Sequence, residues 1–445
     1  MAPVIVVGAG PAGATAARTL AAAGFPVRML DRASFPRNKP CGGGISLRVL
    51  TRFPYLEHAL SRVATHRLRR VQLEGPDGVP AVVEAREEAL LMIRRIEFDE
   101  LLVSLAAEAG AELVSGVDVV QVSENGGCVT IVARDGRRFE APVVIAADGV
   151  HSVTARRLGL NSGWPAVSIA LDMMEETPRT ELRDVDPSTL WLAYGFDVTR
   201  CAHRLEPDDT RGDIRTGERA ARSVDPPVRA AQGYAYVFPK RDHVNIGIGY
   251  VLSYYRTAID APPYEMQRAL IEQLRSRGMV VGESVRRNFT PFLIPVGGPL
   301  RHPGRGRVLL AGDAGGFVNA FTAEGIYYAM VSGDLAARAV MAKGPAPYGN
   351  ALARRYRRAC NAEIGAELRD AVLIQRYLFS DRRRIMRLVR EAPGHPAITD
   401  LIVDYVVGRR SYRNARRSLI RRSPRLAFKL IREHTKSFAL AGAWR

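Results

Sequence analysis

A run of apolar residues, a glycine-rich loop and a stretch of small residues open the chain. Val4 to Val7 are four consecutive β-branched residues, which is typical of a strand buried on both faces. The glycine-rich loop 8–13 follows, and the small residues from Ala14 to Ala23 predict a helix. Val27 to Leu30 predict a second strand. The pattern therefore indicates a β-α-β unit at the start of the chain.

Two later apolar runs, at 143–147 and 308–311, have the same character as the first strand. Each ends in a polar pair, Asp148-Gly149 in the first case and Gly312-Asp313 in the second. Buried parallel strands have this pattern, and ligands of open α/β sheets bind beyond the carboxyl ends of the strands. We therefore expect both polar pairs at one ligand-binding edge.

The pattern changes between about residues 165 and 295. The segments 234–238 and 244–248 alternate or run as β-rich stretches on either side of a polar turn at 240–243. They predict an antiparallel sheet in a second lobe. Helical patterns return at 323–341 and dominate 348–379.

Three glycines in the first loop have the spacing of a dinucleotide-binding motif. Gly8 permits the tight turn, Gly10 lets the backbone approach a pyrophosphate, and Gly13 lets helix and strand pack closely. Asp31, 18 residues beyond Gly13, lies where an acceptor for a ribose hydroxyl belongs. The alternative is a glycine-rich turn with a structural aspartate. This unit alone does not separate NAD from FAD.

Longer strings carry a resemblance to a known family. They read RASFPRNKPCGGGIS at 32–46, GDAGGFVNAFTAEGIYYAM at 312–330, and Tyr-x-Tyr-x-Phe-Pro at 234–239 with Gly-x-Gly at 247–249. Further matches lie at 95–99 and 148–156. Over residues 1 to about 345 the sequence resembles the geranylgeranyl reductase family, within the flavoproteins built like para-hydroxybenzoate hydroxylase. The resemblance implies FAD as the cofactor. NADPH or another reductant would bind transiently, since the sequence has no second glycine loop of this type.

The resemblance implies roles along the whole length of FAD. Arg95 would help hold the pyrophosphate and ribose, Asp313 would accept a ribityl hydroxyl, and the backbone at Gly325 and Ile326 would face the pyrimidine edge of the flavin. A helix N-cap is the alternative for Asp313, and a turn residue is the alternative for Asp148. The predicted FAD-binding residues are Gly8, Gly10, Ala12, Gly13, Asp31, Arg32, Cys41, Gly42, Arg95, Asp148, Gly312, Asp313, Gly325 and Ile326.

The resemblance also implies a catalytic cysteine and a substrate wall. Cys41 lies in a triple-glycine turn beside the predicted position of the isoalloxazine ring. It is either a small buried filler or a catalytic residue that contacts flavin or donates a proton. Tyr234, Tyr236 and Phe238 lie on one face of a strand. Core packing explains this alternation equally well, and the family pattern favours an apolar substrate tunnel.

Three positions depart from the family pattern. Tyr236 stands where Trp is usual, which adds a hydroxyl and shortens the wall. Ala320 stands where Pro is usual, and Ala323 where Gly is usual. We expect these departures to reshape the flavin edge, and they leave the exact substrate open.

Composition excludes several classes of protein. The sequence has no apolar run long enough to cross a membrane and no signal peptide at its start. Its four cysteines are widely and irregularly spaced, which predicts neither a disulfide framework nor a metal site. We therefore expect a cytoplasmic protein without a metal.

The net charge of +18 is concentrated near the C-terminal end. Residues 376–445 contain 18 Lys and Arg against 5 Asp and Glu, whereas the preceding residues contain 46 against 41. A solvated, Arg-rich helical surface is the simplest interpretation. Docking to an anionic membrane surface is the second. Nucleic acid is the third, because no nucleic-acid-binding module accompanies the charge.

One segment lacks any regular pattern. Residues 197–231 contain seven Arg and seven Asp or Glu without helical or strand periodicity. Loops of that length are uncommon inside compact domains. We interpret the segment either as a lid that orders over the substrate pocket or as an inert surface insertion.

These observations predict an α/β fold with three parts. A Rossmann-type FAD-binding domain comprises 1–164 and 296–345, with a β-rich excursion at 66–93. An antiparallel-sheet substrate domain comprises 165–295 with the insertion 197–231, and 346–445 form a C-terminal helical basic region.

The predicted function is FAD-dependent reduction of carbon–carbon double bonds in a prenyl or other apolar substrate. The alternatives are an FAD-dependent monooxygenase of an aromatic or polyketide-like substrate and a nucleic-acid-binding flavoprotein. The oligomeric state is left open.

Overall fold

The computed structural model describes residues 2–85, 87–182, 185–196, 230–342 and 348–391. Two predicted segments fall largely outside the described residues. They are the insertion 197–231, except for its last two residues, and the basic region beyond residue 391.

The described chain contains nineteen strands and eleven α-helices. The strands are β1 (Val4–Val7), β2 (Val27–Leu30), β3 (Gly44–Ser46), β4 (Thr65–Leu68), β5 (Arg70–Glu74), β6 (Pro80–Glu84), β7 (Leu90–Ile93), β8 (Glu112–Val114), β9 (Val119–Asn125), β10 (Cys128–Ala133), β11 (Arg138–Ala141), β12 (Val144–Ala146), β13 (Ile169–Pro178), β14 (Thr189–Tyr194), β15 (Gly233–Pro239), β16 (His243–Val251), β17 (Phe289–Pro295), β18 (Gly304–Arg305) and β19 (Val308–Leu310). The helices are α1 (Pro11–Ala22), α2 (Arg48–Arg52), α3 (Tyr55–Ala59), α4 (Arg95–Glu108), α5 (Val153–Arg157), α6 (Leu252–Ala258), α7 (Pro263–Ser276), α8 (Ile326–Met341), α9 (Asn350–Cys360), α10 (Ala366–Phe379) and α11 (Arg382–Glu391).

A mainly parallel sheet contains the predicted β-α-β unit. Its strand order is β18-β19-β12-β1-β2-β8, and only the edge strand β18 runs antiparallel. Ile5 lies opposite Val144 on one side and Arg28 on the other. One face packs against α1, α4 and α8, and the other packs against the antiparallel meander β9 to β11. Strands covered on both faces must be apolar throughout, as β1, β12 and β19 are, and the predicted α/β fold is confirmed.

Small residues let α1 and α8 pack closely. A Cβ on Gly333 would lie 2.1 Å from the carbonyl oxygen of Ala12, so the two backbones touch at this point. Ala14, Ala16 and Ala17 are fully buried in α1. Larger side chains there would push the helices apart, which explains why this helix consists of small residues.

A seven-stranded sheet forms the second layer. Its order is β17-β13-β16-β15-β14-β5-β6, with antiparallel pairs except for β14 beside β5. The predicted strands at 234–238 and 244–248 are β15 and β16. The predicted excursion 66–93 is shared between two sheets. Strands β5 and β6 extend the seven-stranded sheet, whereas β7 pairs with both β3 and β4 in a three-stranded sheet.

The C-terminal helices of the described chain close one end of the seven-stranded sheet. Phe379 of α10 and Ile385 and Val389 of α11 join the apolar cluster that contains Leu73 and Val83 of β5 and β6. Among the described residues, no helix combines the length and apolar character needed to cross a membrane.

Candidate active site

Four segments that are distant in sequence meet at one edge of the parallel sheet. Gly8, Asp31, Asp148 and Gly312 each lie just beyond the carboxyl end of β1, β2, β12 or β19. These four strands are neighbours in the sheet. These four predicted cofactor residues therefore lie together at one edge of the sheet, in the crevice where open α/β sheets bind ligands.

The three glycines of the loop differ in how strongly the surrounding backbone requires glycine. A Cβ on Gly8, whose φ is +92°, would lie 2.3 Å from the carbonyl oxygen of Ala147. A Cβ on Gly13 would lie 1.8 Å from the carbonyl oxygen of Gly8. By contrast, the atom nearest a Cβ on Gly10 would be Nη2 of Arg37 at 3.4 Å, and the φ of Gly10 is an ordinary −69°. The fold requires Gly8 and Gly13, whereas Gly10 leaves space in the crevice.

The N-terminus of α1 fits the ADP half of FAD. It has proline in its first turn, no side-chain cap and no acidic residue there, so its positive end is available to an anion. Asp31 positions the loop, because its Oδ2 accepts a hydrogen bond from Ala9 N at 2.8 Å and its Oδ1 accepts one from Ala33 N at 2.9 Å. Ala12 is buried in the first turn, and Arg32 is exposed.

Arg95 is held inside the protein by a carboxylate one helical turn away. Its Nε and Nη2 donate to the two carboxylate oxygens of Asp99, each at 2.6 Å. Burial disfavours the charge of Arg95, but Asp99 outweighs this and raises the pKa of Arg95 above its ordinary value. Asp99 lies within the matching string 95–99, but sequence reasoning gave it no role, although its spacing of four residues from Arg95 on a helix was the available signal. The contact of Arg95 with the pyrophosphate stays a prediction.

Asp148 and Asp313 differ in how their carboxylates are used. Asp148 accepts from Ser152 Oγ at 2.6 Å and from Thr154 N at 3.0 Å, so it organises the turn that starts α5. Burial raises the pKa of Asp148. Asp313 lies 3.6 Å from Nζ of Lys39 and keeps 22% of its side chain exposed. The contacts of Asp148 are those of a turn residue, and the contact of Asp313 with a ribityl hydroxyl stays a prediction.

Close packing explains the glycines that follow Cys41. A Cβ on Gly42 would lie 2.8 Å from the ring of Phe238. Gly43 has a φ of +76°, and a Cβ there would lie 2.1 Å from the carbonyl oxygen of Ile93. Asn245 Nδ2 donates to the carbonyl oxygen of Cys41 at 2.8 Å, which ties the loop to the seven-stranded sheet.

One cavity contains the predicted catalytic, substrate and flavin-edge residues. Its lining includes Cys41 and Gly42, the three rings of β15, and Gly325 and Ile326 at the N-terminus of α8. The ring centroids of Tyr234 and Tyr236 are 6.3 Å apart, and those of Tyr236 and Phe238 are 4.5 Å apart. The structure thus brings these residues together, and their roles remain predictions.

An aromatic cluster at one end of this cavity was missed by sequence reasoning. Tyr194 stacks on Phe321 with centroids 5.7 Å apart, and it lies 6.1 Å from Phe379 and 5.5 Å from Tyr234. The cluster makes this end of the cavity suitable for a flat ring or an alkyl chain. Its members come from separate strands, loops and helices, so no sequence period connects them.

Two buried carboxyl groups also line the cavity and were not predicted. Asp172 of β13 accepts from the hydroxyl of Tyr236 at 2.9 Å. Glu324 accepts from Ser46 N at 3.0 Å. Burial raises the pKa of Asp172 to about 7 and also raises the pKa of Glu324. An acidic residue at an inward position of an apolar strand was the only sequence signal for Asp172.

Comparison with known proteins agrees with this site. A family model described as an FAD binding domain matches residues 1–197. The chain is 30% identical over 357 residues to a menaquinone reductase of Mycolicibacterium smegmatis, covering 79% of each chain. It is also 30% identical over 387 residues to a geranylgeranyl diphosphate reductase of Rhodobacter capsulatus, covering 85% of each. Its fold is similar to that of a geranylgeranyl bacteriochlorophyll reductase-like protein from Thermoplasma acidophilum, with a TM-score of 0.75, 21% identity and coverage of 96% of this chain and 98% of that one.

The chain is 30% identical to these two relatives over most of their length, and the residues of its crevice fit FAD. The chain is therefore an FAD-dependent oxidoreductase that belongs to the geranylgeranyl reductase family.

Proposed function

We propose that this protein reduces carbon–carbon double bonds in a prenyl substrate of the geranylgeranyl type or in another apolar molecule. The observation that carries the proposal is the shared cavity, where the aromatic face of β15 adjoins the segment predicted to meet the flavin. Apolar walls provide about 0.8 kcal/mol for each buried CH₂ group. The names of the two relatives, a menaquinone reductase and a geranylgeranyl diphosphate reductase, support a prenyl or other apolar substrate.

The chemistry of an isolated alkene defines what the protein must provide. Such an alkene has no carbonyl to polarise it, so its reduction needs a hydride and a proton at adjacent carbons. Bound FAD, once reduced by NADPH or another transient donor, supplies the hydride. The cavity residues orient the chain and exclude water. The Cys41 thiol, at the edge of the cavity, is our candidate proton source.

Oxygen separates this proposal from the monooxygenase alternative. The FAD-loaded protein is reduced with dithionite under anaerobic conditions and mixed with geranylgeraniol, a prenyl chain without an anionic head group. We expect a product that has gained two hydrogens for each double bond reduced, without oxygen. A product that forms only in air and contains ¹⁸O from labelled O₂ would contradict the proposal.

The role of Cys41 is tested in the same reaction. We expect Cys41→Ala to keep its FAD and to lose about 10²-fold or more in turnover, which is the usual contribution of a positioned acid. Cys128→Ala is the matched control, because Cys128 lies in the meander away from the cavity. Unchanged turnover in Cys41→Ala would mean that the thiol is a packing residue.

We also propose that the basic region 376–445 docks weakly to an anionic membrane, where an apolar substrate would be found. In its described part, α11 directs Ile385 and Val389 inward and leaves Arg383 and Arg387 exposed. Each basic side chain near an anionic leaflet contributes about 1 kcal/mol. Co-sedimentation with phosphatidylserine vesicles should decrease as salt rises. Equal binding to neutral vesicles would contradict this proposal.

A further inference from the structure

A carboxyl group and a phenol are paired on the apolar wall of the cavity. Asp172 is 6% exposed and Tyr236 is 4% exposed, and the tyrosine hydroxyl donates to Oδ2 of Asp172 at 2.9 Å. We call these two residues the polar pair. In the part of the chain that the structure describes, no Lys or Arg influences the pKa of Asp172. The carboxyl group is therefore not the anion of a buried ion pair.

Strand register explains how the polar pair fits. Asp172 lies opposite Gly249, and Tyr236 lies opposite Gly247. A Cβ on Gly247 would lie 2.4 Å from the Tyr236 hydroxyl oxygen, and one on Gly249 would lie 3.1 Å from Oδ1 of Asp172. Both glycines of the Gly-x-Gly string thus make room for the polar pair. A strand with side chains at these positions would displace it.

Burial determines the protonation of this pair. Loss of hydration raises the pKa of Asp172 to about 7, and it raises the pKa of Tyr236 and of Tyr234 well above 10. The Tyr236 hydroxyl and the backbone N–H of Met173 both donate to this carboxyl group. A neutral carboxyl group also has one O–H donor of its own, which neither of these two donors can satisfy. In an apolar wall such a donor is costly to bury unless a ligand atom accepts from it.

We infer that the polar pair binds a carbonyl oxygen of the substrate, so that the molecule entering this cavity is an apolar chain attached to a carbonyl-bearing ring, as in a quinone. A hydrocarbon alone would leave the donor unpaired, and an anionic head group would meet a carboxyl group without a cation. The ring of Tyr234 lies 6.3 Å from the ring of Tyr236, and the ring of Tyr194 lies 5.5 Å from that of Tyr234. These two rings in the same cavity suit a flat ring. The inference rests on the proposed function, because it assumes an apolar substrate in this cavity.

Binding of two matched probes tests the inference without turnover. One probe is a naphthoquinone with a short prenyl chain, and the other is the prenyl naphthalene without the two carbonyls. Dissociation constants for the FAD-loaded protein are measured by fluorescence quenching. We expect the quinone to bind about tenfold more tightly than the naphthalene, which is the usual value of one buried hydrogen bond.

Variants of Asp172 identify the group responsible. We expect Asp172→Leu to bind both probes equally and Asp172→Asn to keep the preference, because its amide still donates. Retained FAD content and unfolding temperature show that each variant folds. An unchanged preference for the quinone in Asp172→Leu would overturn the inference.

The preference should also depend on pH. In the wild type it should fade as the pH rises through about 7, where Asp172 loses its proton, and in Asp172→Asn it should stay constant. Among the described residues, the other titratable groups that line this cavity are Cys41, Tyr194, Tyr234, Tyr250 and Glu324. A pH dependence that persists in Asp172→Asn would assign it to one of them and contradict the inference. A different result would contradict the proposed function itself: neither probe binds and no prenyl double bond is reduced.

Discussion

At the scale of single residues, Ala323 holds an unusual backbone conformation. Its φ is +55°, and it is the one residue other than glycine with a positive φ in the described part of the chain. For residues with a Cβ this conformation costs about 1–2 kcal/mol. The resemblance gives glycine as the usual residue at this position, so alanine here introduces strain beside the segment predicted to meet the flavin.

Replacing Ala323 with glycine should relieve this strain. We expect Ala323→Gly to raise the free energy of unfolding by about 1 kcal/mol, less than the full strain because glycine gains freedom in the unfolded chain. Urea unfolding measures the change. Ala320→Gly is the control, since Ala320 is buried, has no positive φ and should lose stability when its methyl group is removed. A loss of stability in both variants would show that Ala323 is not strained.

Gly10 offers a test of the FAD crevice that leaves the fold intact. A Cβ at this position would lie 3.4 Å from Nη2 of the flexible Arg37 side chain. We expect a valine there to fill the space that we assign to the pyrophosphate. We expect Gly10→Val to retain less than about a tenth of its FAD, with an unchanged unfolding temperature of the apoprotein. FAD released on denaturation is quantified by absorbance.

The matched control for Gly10→Val is Gly349→Val. Gly349 has an extended φ of 178°, and a Cβ added to it would have no atom within 4 Å. It lies at the start of α9, outside the crevice, so this variant should keep its FAD. Full occupancy in Gly10→Val would mean that the pyrophosphate does not approach this loop.

At the scale of an element, strand β15 separates two environments. Tyr234, Tyr236 and Phe238 face the cavity, whereas Ala235 and Val237 face an apolar cluster on the other side of the sheet. The alternation predicted from sequence therefore places the two sets of side chains on opposite faces of the sheet. It provides variants on the same strand that either alter the cavity or leave it unchanged.

Shortening the cavity side of β15 should affect long substrates most. With prenyl substrates that have no carbonyl group for the polar pair to bind, we expect Tyr236→Ala to weaken a long chain about tenfold and a short one by less than about threefold, because only the long chain reaches the whole wall. KM values for a series of chain lengths measure this. Val237→Ala, which removes core volume on the opposite face, should show no dependence on chain length. Equal losses for all chains in Tyr236→Ala would indicate damage to the core alone.

At the scale of the whole molecule, the burial of Asp172 links folding to pH. Its pKa is about 7 in the folded protein against an ordinary value of 3.8, so the folded state binds more protons between these values. Its contribution to stability is present at low pH and is lost as the pH rises through about 7. Burying this carboxyl group in the cavity wall therefore makes the protein less stable at alkaline pH.

Asp172→Asn should remove this dependence. Relative to the wild type, we expect the variant to gain roughly 1 kcal/mol per pH unit between about pH 5 and pH 7. Urea unfolding of both proteins at several pH values measures the difference. The raised pKa values of Asp148, Glu175 and Glu324 affect both proteins and cancel in the comparison. A difference that does not change with pH would contradict the shifted pKa.

The β-α-β unit and its glycine loop were determined by the sequence alone. Their signals are local, because a buried strand, a tight turn and a helix of small residues each depend on consecutive side chains. The same applies to the alternation of β15 and to the enzyme family, which the strings around Cys41 and Ala323 identify. These features were predicted correctly because each lies within a short segment.

Only the tertiary structure decided which distant segments meet. Strand register places Asp172 beside Tyr236 across the glycines of β16, and no period in the sequence connects the two. Pairing between strands likewise assigned β5 and β6 to the seven-stranded sheet, although they precede it by about a hundred residues. Hydrogen bonds between strands and the loss of water around a carboxyl group are properties of the packed chain, so the polar group in this apolar cavity became visible only in the folded protein.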